Sequence, residues 1–191
     1  MDENGALKAY NSIYLEIIMR YKELIEEKES LYLADLPKLV TPNDDNVVLL
    51  AKEIEGNFPV FNYDENFPEA VRLSYQYVKG RITPISLPIQ FWLKPDQTIR
   101  YSAGDIFDKA VLLCSLLIAI GNVSSRIIVV AKETDRSFIV YAEFGGKIMA
   151  VDLEKGVRDF ANLGALLDEL SIDRDDTTAY EFNDKMYRDI V

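Results

Sequence analysis

The sequence predicts an α+β fold, in which a buried central helix packs on an antiparallel β-sheet and additional helices precede it. Residues 102–121 begin with acidic side chains and are then apolar on every side, which indicates a fully buried helix. Residues 126–153 change to β-branched and aromatic residues with a period of two, which is typical of strands. Between two of these strands, Gly145-Gly146 predicts a tight hairpin turn.

The composition limits the partners and the chemistry of this 191-residue chain. Its 21 basic and 32 acidic residues give a net charge of −11, which argues against binding nucleic acid or an anionic membrane. The chain has no histidine, so mechanisms that need an imidazole base and metal sites with histidine ligands are excluded. With one cysteine, Cys114, no intramolecular disulfide can form, and we expect a reducing, cytoplasmic location.

Two features of the sequence argue against a signal peptide and a membrane-spanning helix. The N-terminus opens with acidic residues and lacks the positive and apolar regions of a signal peptide. The longest apolar run, residues 111–120, is too short to span a bilayer.

The first segment predicts a long amphipathic helix, and we assign residues 1–40 to a helical extension and 41–191 to the domain. Its apolar residues recur every three or four positions, and some fit a heptad seam: Leu7, Tyr10, Tyr14, Ile17, Tyr21 and Leu24. Such a helix is either an arm that dimerises or binds a partner, or a helix packed on its own domain.

Capping signals mark the helices that follow. Thr41 with Pro42 predicts a helix start, and Gly56 predicts its end. The sequence from Asn66 through Pro68 predicts a second start, with an end near residues 79–80. Prolines then predict an extended path over residues 80–90, and residues 95–98 predict one short helical turn.

The acidic entry of the central helix is explained by capping. Asp105 and Asp108 are three residues apart, so one can cap the helix while the other lies in its first turn. Cys114 lies among leucines about 12 Å further along at 1.5 Å per residue. We interpret it as a buried core residue, the alternative being a relocated nucleophile.

The glycine turn fixes a strand register. If Phe144 pairs with Lys147, then Ile139 faces Asp152. Ser137 and Asp152 then share one face as diagonal neighbours, roughly 7–8 Å apart at the backbone.

The remaining sequence predicts one amphipathic helix and an acidic loop. The helix has apolar residues at helical spacing: Phe160, Leu163, Leu166, Leu167 and Leu170. Residues 173–176 faintly resemble a calcium loop but lack its glycine, so we expect a solvated turn.

Several motifs, in this order, resemble the transglutaminase-like superfamily, whose core is shared with papain-like proteases. They are Phe91-Trp92, residues 95–98, the Gly-Asp-Ile-Phe-Asp run 104–108, the helix to Gly121, and the hairpin that ends at Asp152. The likeness covers about residues 40–153 and is greatest to prokaryotic, particularly archaeal, single-domain members.

The resemblance implies a degenerate catalytic site. In the family a cysteine nucleophile stands at the helix N-terminus, a histidine on the first hairpin strand and an aspartate on the next. The matching positions here are Ile106, Ser137 and Asp152. Two of the three groups are therefore missing, and we expect no transglutaminase, protease or amidase activity. Trp92 and Tyr141 are candidates for lining the former groove.

These observations favour a non-catalytic binding or scaffolding module with an unidentified protein partner and with neither cofactor nor metal. One alternative is a hydrolase of another class that uses carboxylates or a metal, with candidate groups Asp105, Asp108, Asp152 and Glu154. Another is a structural subunit of a homo-oligomer held together by the first helix.

Overall fold

The computed structural model describes residues 3–29, 33–89, 91–132, 136–172 and 177–191, so the acidic loop 173–176 lies outside the described residues. The helices are α1 (Glu3–Arg20), α2 (Lys22–Glu29), a 3-10 helix (Leu33–Leu39), α3 (Asp45–Glu55), α4 (Tyr63–Arg81), α5 (Pro95–Tyr101), α6 (Ile106–Ala119) and α7 (Leu163–Glu169). The strands are β1 (Thr83–Pro84), β2 (Ala103–Gly104), β3 (Arg126–Ala131), β4 (Arg136–Phe144), β5 (Lys147–Asp152), β6 (Gly156–Phe160), β7 (Thr178–Phe182) and β8 (Tyr187–Asp189).

A six-stranded antiparallel sheet with the order β6-β5-β4-β3-β7-β8 separates two apolar cores. The larger core lies between α3, α4 and α6 and one face of the sheet. The smaller core lies under α7 and the C-terminus on the other face. This arrangement confirms the predicted mixture of helices and antiparallel strands.

The central helix α6 is buried as predicted. Eleven of its residues are buried, and nearly all of them are apolar. Ser115 is accommodated because its hydroxyl donates to the carbonyl of Val111 at 2.8 Å and accepts from the backbone N–H of Thr41 at 3.1 Å. That second bond ties the segment ahead of α3 to the middle of α6.

The hairpin register follows the glycine turn as predicted. Phe144 pairs with Lys147 and Ile139 pairs with Asp152. Gly145 and Gly146 have φ values of 57° and 74°, which a residue with a Cβ adopts only with strain.

Both helix starts predicted from proline lie elsewhere. The Asp44 side chain accepts from the backbone N–H of Asn46 at 2.9 Å, so α3 begins after a turn that contains Pro42. In α4 the cap is Asn62, and Pro68 falls inside the helix, where it forgoes one backbone hydrogen bond. The predictions were wrong because a side-chain cap a few residues away outweighs the preference of proline for a first turn.

The N-terminal region also differs from one long helix. Its helix is divided at Tyr21 into α1 and α2. Leu36, Leu39 and Val40 are buried in the larger core, so the packed domain extends N-terminally beyond residue 40. In the part of the chain that the structure describes, no helix combines the length and apolarity of a membrane span.

A charged network joins the buried side chains of Glu181 and Tyr141 to two partly exposed arginines at the smaller core. Glu181 is completely buried, and its Oε2 accepts from the Tyr141 hydroxyl at 2.6 Å. Arg188 reaches Glu181 Oε1 at 2.7 Å, and Arg126 donates to the Tyr141 oxygen at 2.9 Å. Burial, and next the bond to Glu181, raise the pKa of Tyr141, so its hydroxyl stays protonated and serves as a donor.

Replacing Tyr141→Phe should lower the free energy of unfolding by about 1–3 kcal/mol, because Glu181 would remain buried with one hydrogen bond fewer. Urea denaturation monitored by circular dichroism measures this difference. Tyr101→Phe is the matched control at an exposed position, where we expect a change within about 0.5 kcal/mol. Equal effects of the two variants would contradict a stabilising role for the network.

Candidate functional site

The candidate site is built around the first turn of α6. Asp105 caps the helix, and its Oδ1 accepts from the backbone N–H of Asp108 at 2.8 Å. In return, Asp108 Oδ2 accepts from the backbone N–H of Asp105 at 3.0 Å. Asp108 Oδ1 also accepts from the backbone N–H of Leu93 at 2.9 Å, so one carboxylate joins the helix start to the preceding loop.

Gly104 allows this turn to close. A Cβ at Gly104 would lie 3.0 Å from the Cβ of Asp108 and 3.2 Å from Cγ2 of Thr98. The space is therefore too small for any other residue without a shift of its neighbours. The Gly-Asp pair ahead of the helix thus has a structural purpose that does not depend on any chemistry at Ile106.

The environment of Asp108 disfavours its charged form. Burial, followed by the charge of Asp105, raises the pKa of Asp108 to about 6. The two backbone N–H groups that it accepts from act in the opposite direction but do not outweigh burial. Asp108 is therefore a buried structural carboxyl whose oxygens both have backbone partners.

Ile106 is the first residue of α6 and has 37% of its surface exposed. It lines three neighbouring cavities of about 290, 200 and 320 Å³. A partly exposed isoleucine thus occupies the position that the resemblance to the transglutaminase-like superfamily assigns to the nucleophile. It offers neither a nucleophilic atom nor a proton, and instead presents an apolar contact to anything that enters.

The cavity of about 290 Å³ is largely apolar, and we call it the apolar groove. It lies between the loop ahead of α5 and the start of α6, and it is lined by Ile85, Ser86, Leu87, Ile89, Phe91, Trp92, Asp105, Ile106, Phe107, Asp108, Arg136 and Phe138. Trp92 packs edge-on against Phe107 with ring centroids 4.3 Å apart. Its Nε1 is buried without a hydrogen-bond partner among the described residues. Trp92 therefore both supports the core and borders the groove.

The cavity of about 320 Å³ is polar, and we call it the charged cavity. It brings together the three positions that the family pattern singled out, Ile106, Ser137 and Asp152. Two cations and one further acid also line it: Arg136, Lys155 and Glu154.

Asp152 has backbone partners inside this cavity. Its Oδ1 accepts from the N–H groups of Glu154 and Lys155 at 2.9 and 3.0 Å, which shapes the turn after β5. Its Oδ2 lies 3.5 Å from Lys155 Nζ. These contacts are those of a structural carboxylate, because two backbone N–H groups already donate to its Oδ1.

Ser137 and Asp152 do share one face of the sheet, but α6 lies on the other face. Their face carries the smaller core, with Ile139, Tyr141 and Ala150. They reach the charged cavity because β5 ends at Asp152 while β4 continues to Arg136, which leaves the end of β4 paired only with β3. Alternation predicts that Ser137 and Asp152 lie together, as they do, but it does not determine which face of the sheet a helix covers.

The prediction that Tyr141 lines the groove is wrong, because Tyr141 belongs to the smaller core on the face of the sheet away from α6. Tyr141 is completely buried on the α7 side of the sheet, where it bonds Glu181. Phe138, three residues earlier in β4, points to the opposite face of the sheet. It contacts Phe107 at 5.4 Å between ring centroids and lines the apolar groove. Phe138 and the apolar residues of 85–89 were missed, and the run of apolar residues among the prolines of that segment was the one signal for the latter.

Cys114 is fully buried in the larger core, as predicted. Burial, followed by the charge of Asp184, raises the pKa of its thiol, so the reactive thiolate is suppressed. Within the described ranges, no three cysteine, aspartate or glutamate side chains are grouped closely enough to hold a metal ion.

Comparison with known proteins identifies the fold. The sequence matches no protein-family model and no curated protein. Among solved structures, Legionella pneumophila LapG after EGTA treatment matches with a TM-score of 0.52 and 15% identity, over 84% of this chain and 86% of that one. A second structure of LapG matches with a TM-score of 0.48 and 15% identity, over 84% and 88%. Calcium-bound LapG gives 0.45 and 15%, over 75% and 87%. The first of these likenesses supports the predicted transglutaminase-like fold.

The raised pKa of Asp108 has a consequence for stability. The folded protein holds this proton between about pH 4 and 6, where the unfolded chain has released it, so the contribution of Asp108 to stability falls as the pH rises through that window. Asp108→Asn removes the titration and places an amide opposite a backbone donor. The unfolding free energy of the wild type minus that of Asp108→Asn should therefore be larger at pH 4.5 than at pH 7.

Urea denaturation at a series of pH values measures this difference. Asp96→Asn is the control, at a carboxyl in the first turn of the neighbouring helix α5. The raised pKa of Asp108 would be contradicted if the difference in unfolding free energy between the wild type and Asp108→Asn were independent of pH, or if it grew toward pH 7.

Thiol labelling distinguishes the exposed helix start from the buried thiol. The native wild type should react with iodoacetamide only after denaturation, because Cys114 is its one thiol and is fully buried. In Ile106→Cys the introduced thiol should be labelled in the native state, since the position is 37% exposed. Mass spectrometry after proteolysis locates each label. Rapid native labelling of Cys114 would refute its assignment to the core.

Proposed function

We propose that this chain is a non-catalytic transglutaminase-like domain that binds a protein segment in the apolar groove beside Ile106. The observation that carries the proposal is Ile106 itself, an exposed apolar residue at a helix start where three cavities meet. Exposed apolar side chains in a concave surface are typical of binding sites.

The residues present argue against the family's chemistry. The chain has no histidine to act as a base, and its one thiol is buried in the core. Ser137 has no imidazole beside it, because the chain contains no histidine, so a Ser-His arrangement cannot activate its hydroxyl.

The carboxylates offer less support for an enzyme of another class. Asp105, Asp108 and Asp152 each accept backbone hydrogen bonds that shape a helix start or a turn. These bonds account for the three side chains as structural groups.

The shape and charge of the two cavities define what the groove would accept. The apolar groove, bordered by Trp92 and Phe138, has room for one or two apolar side chains. Arg136 lines both this groove and the charged cavity, where Lys155 and Glu154 also lie. A segment with an apolar residue next to polar ones satisfies both environments, because the apolar side chain leaves water and the charges remain solvated.

A displayed library of random peptides, selected on the full-length protein, tests this proposal. We expect selection of peptides that share an apolar residue, with affinities measured by fluorescence anisotropy. Ile106→Arg should weaken them by at least about tenfold, which corresponds to ~1.4 kcal/mol. Val123→Arg is the matched control, since Val123 is an exposed aliphatic residue that lines none of the three cavities.

Three results would overturn the proposal. The first is a selection that enriches no peptide. The second is an equal loss of binding in Ile106→Arg and Val123→Arg. The third is hydrolysis or transamidation of a selected peptide by the wild type that Ile106→Arg abolishes.

A further inference from the structure

Helices α1 and α2 carry a row of large apolar side chains that face solvent. Five of them, Ile13, Tyr14, Ile17, Tyr21 and Leu24, are between 47% and 59% exposed. We call this set the arm stripe. Single exposed apolar residues are ordinary on a protein surface, but a contiguous row of this kind marks a contact surface.

The stripe continues across the boundary between the two helices. The backbone N–H of Tyr21 donates to the carbonyls of Ile17 and Ile18, and Ile25 donates in turn to Tyr21. Because the hydrogen bonds run through the junction, the residues on both sides keep helical spacing. At about 100° per residue, the five side chains fall within an arc of about 100°.

Over residues 13–27 the charged residues lie outside this arc, on the rest of the helical circumference. They are Glu16, Arg20, Lys22, Glu23, Glu26 and Glu27. Two further apolar residues, Leu15 and Met19, also lie among the charges and away from the stripe. Over residues 13–27 the arm is therefore amphipathic, with one side that is uninterrupted by charge.

In the described part of the chain, the domain leaves about half of the surface of Ile13, Ile17, Tyr21 and Leu24 exposed. Neither helix packs extensively against another described helix or strand. The two apolar cores contain no residue from the described side chains of the arm, and the larger core begins at Leu36.

The exposed area approaches that of a stable interface. Each of the five stripe residues offers on the order of 100 Å² at the observed exposure, and half-buried Ile18 and Ile25 add less, which gives roughly 600 Å² per chain. A specific interface buries about 800 Å² on each partner, whereas the largest apolar patch of a monomer measures about 300–600 Å².

We infer that the arm stripe is covered by the same stripe of a second copy of this chain. Tyr14, Ile17, Tyr21 and Leu24 alternate spacings of three and four, which is the seam that lets a helix pack against its own copy. An anionic membrane is a poorer occupant, because six glutamates outnumber the four cations along α1 and α2.

Sedimentation velocity of the full chain tests this inference. The wild type should sediment with a mass that is a multiple of the 21.8 kDa of one chain. The double variant Ile17→Glu, Leu24→Glu should sediment at 21.8 kDa, because it places charges in the seam. Leu15→Glu is the matched control, since Leu15 is as exposed as Ile17 (49% against 47%) but lies away from the stripe, and its mass should equal that of the wild type.

Circular dichroism and the thermal midpoint show that each variant is folded. A wild type that sediments as a single chain over a wide range of concentrations overturns the inference, whether or not it binds phosphatidylcholine vesicles. Dissociation by Leu15→Glu to the same extent as by the double variant also overturns it. Ile106→Arg should keep the wild-type mass, so failure of the peptide-binding proposal and failure of this inference are separate results.

Discussion

The carboxyl group of Asp108 holds the candidate site together. With one oxygen it accepts from the backbone of Asp105 at the helix cap, and with the other it accepts from Leu93 in the loop ahead of α5. The first wall of the apolar groove belongs to that loop, and the second belongs to the helix start. A single buried side chain thus sets the distance between the two walls, and Gly104 supplies the clearance that allows it to do so.

The sequence was most informative where one local rule acts alone. Gly145-Gly146 requires positive φ, so counting outward from it gave the pairing of Ile139 with Asp152. The acidic entry and apolar body of α6 likewise determined its cap and its burial. Tertiary context decided the rest. Strand β7 was missed because Glu181 interrupts its apolar alternation. The partners that explain this glutamate are Arg188 on the next strand and Tyr141, which lies 40 residues earlier in the sequence.

Prediction of the candidate site from the sequence was limited in the same way by tertiary context. Alternation correctly grouped Ser137 with Asp152, yet it contains no information about which side α6 covers. The charged cavity nevertheless receives both residues, because it opens where β5 stops and β4 continues. The site is therefore assembled at the end of β5, where residues from both faces of the sheet line one cavity.

The position of β7 in the sheet has a consequence for the order in which the molecule forms. Strand β3 pairs with β4, which follows it directly, and also with β7, so that Ile127 meets Phe182 about fifty residues later. During synthesis, the edge of β3 with its sequence Arg-Ile-Ile-Val-Val-Ala stays unpaired until the C-terminal strands emerge from the ribosome. An apolar edge of this type is a template for aggregation. Strand β7 therefore protects this edge of β3, since its pairing covers it.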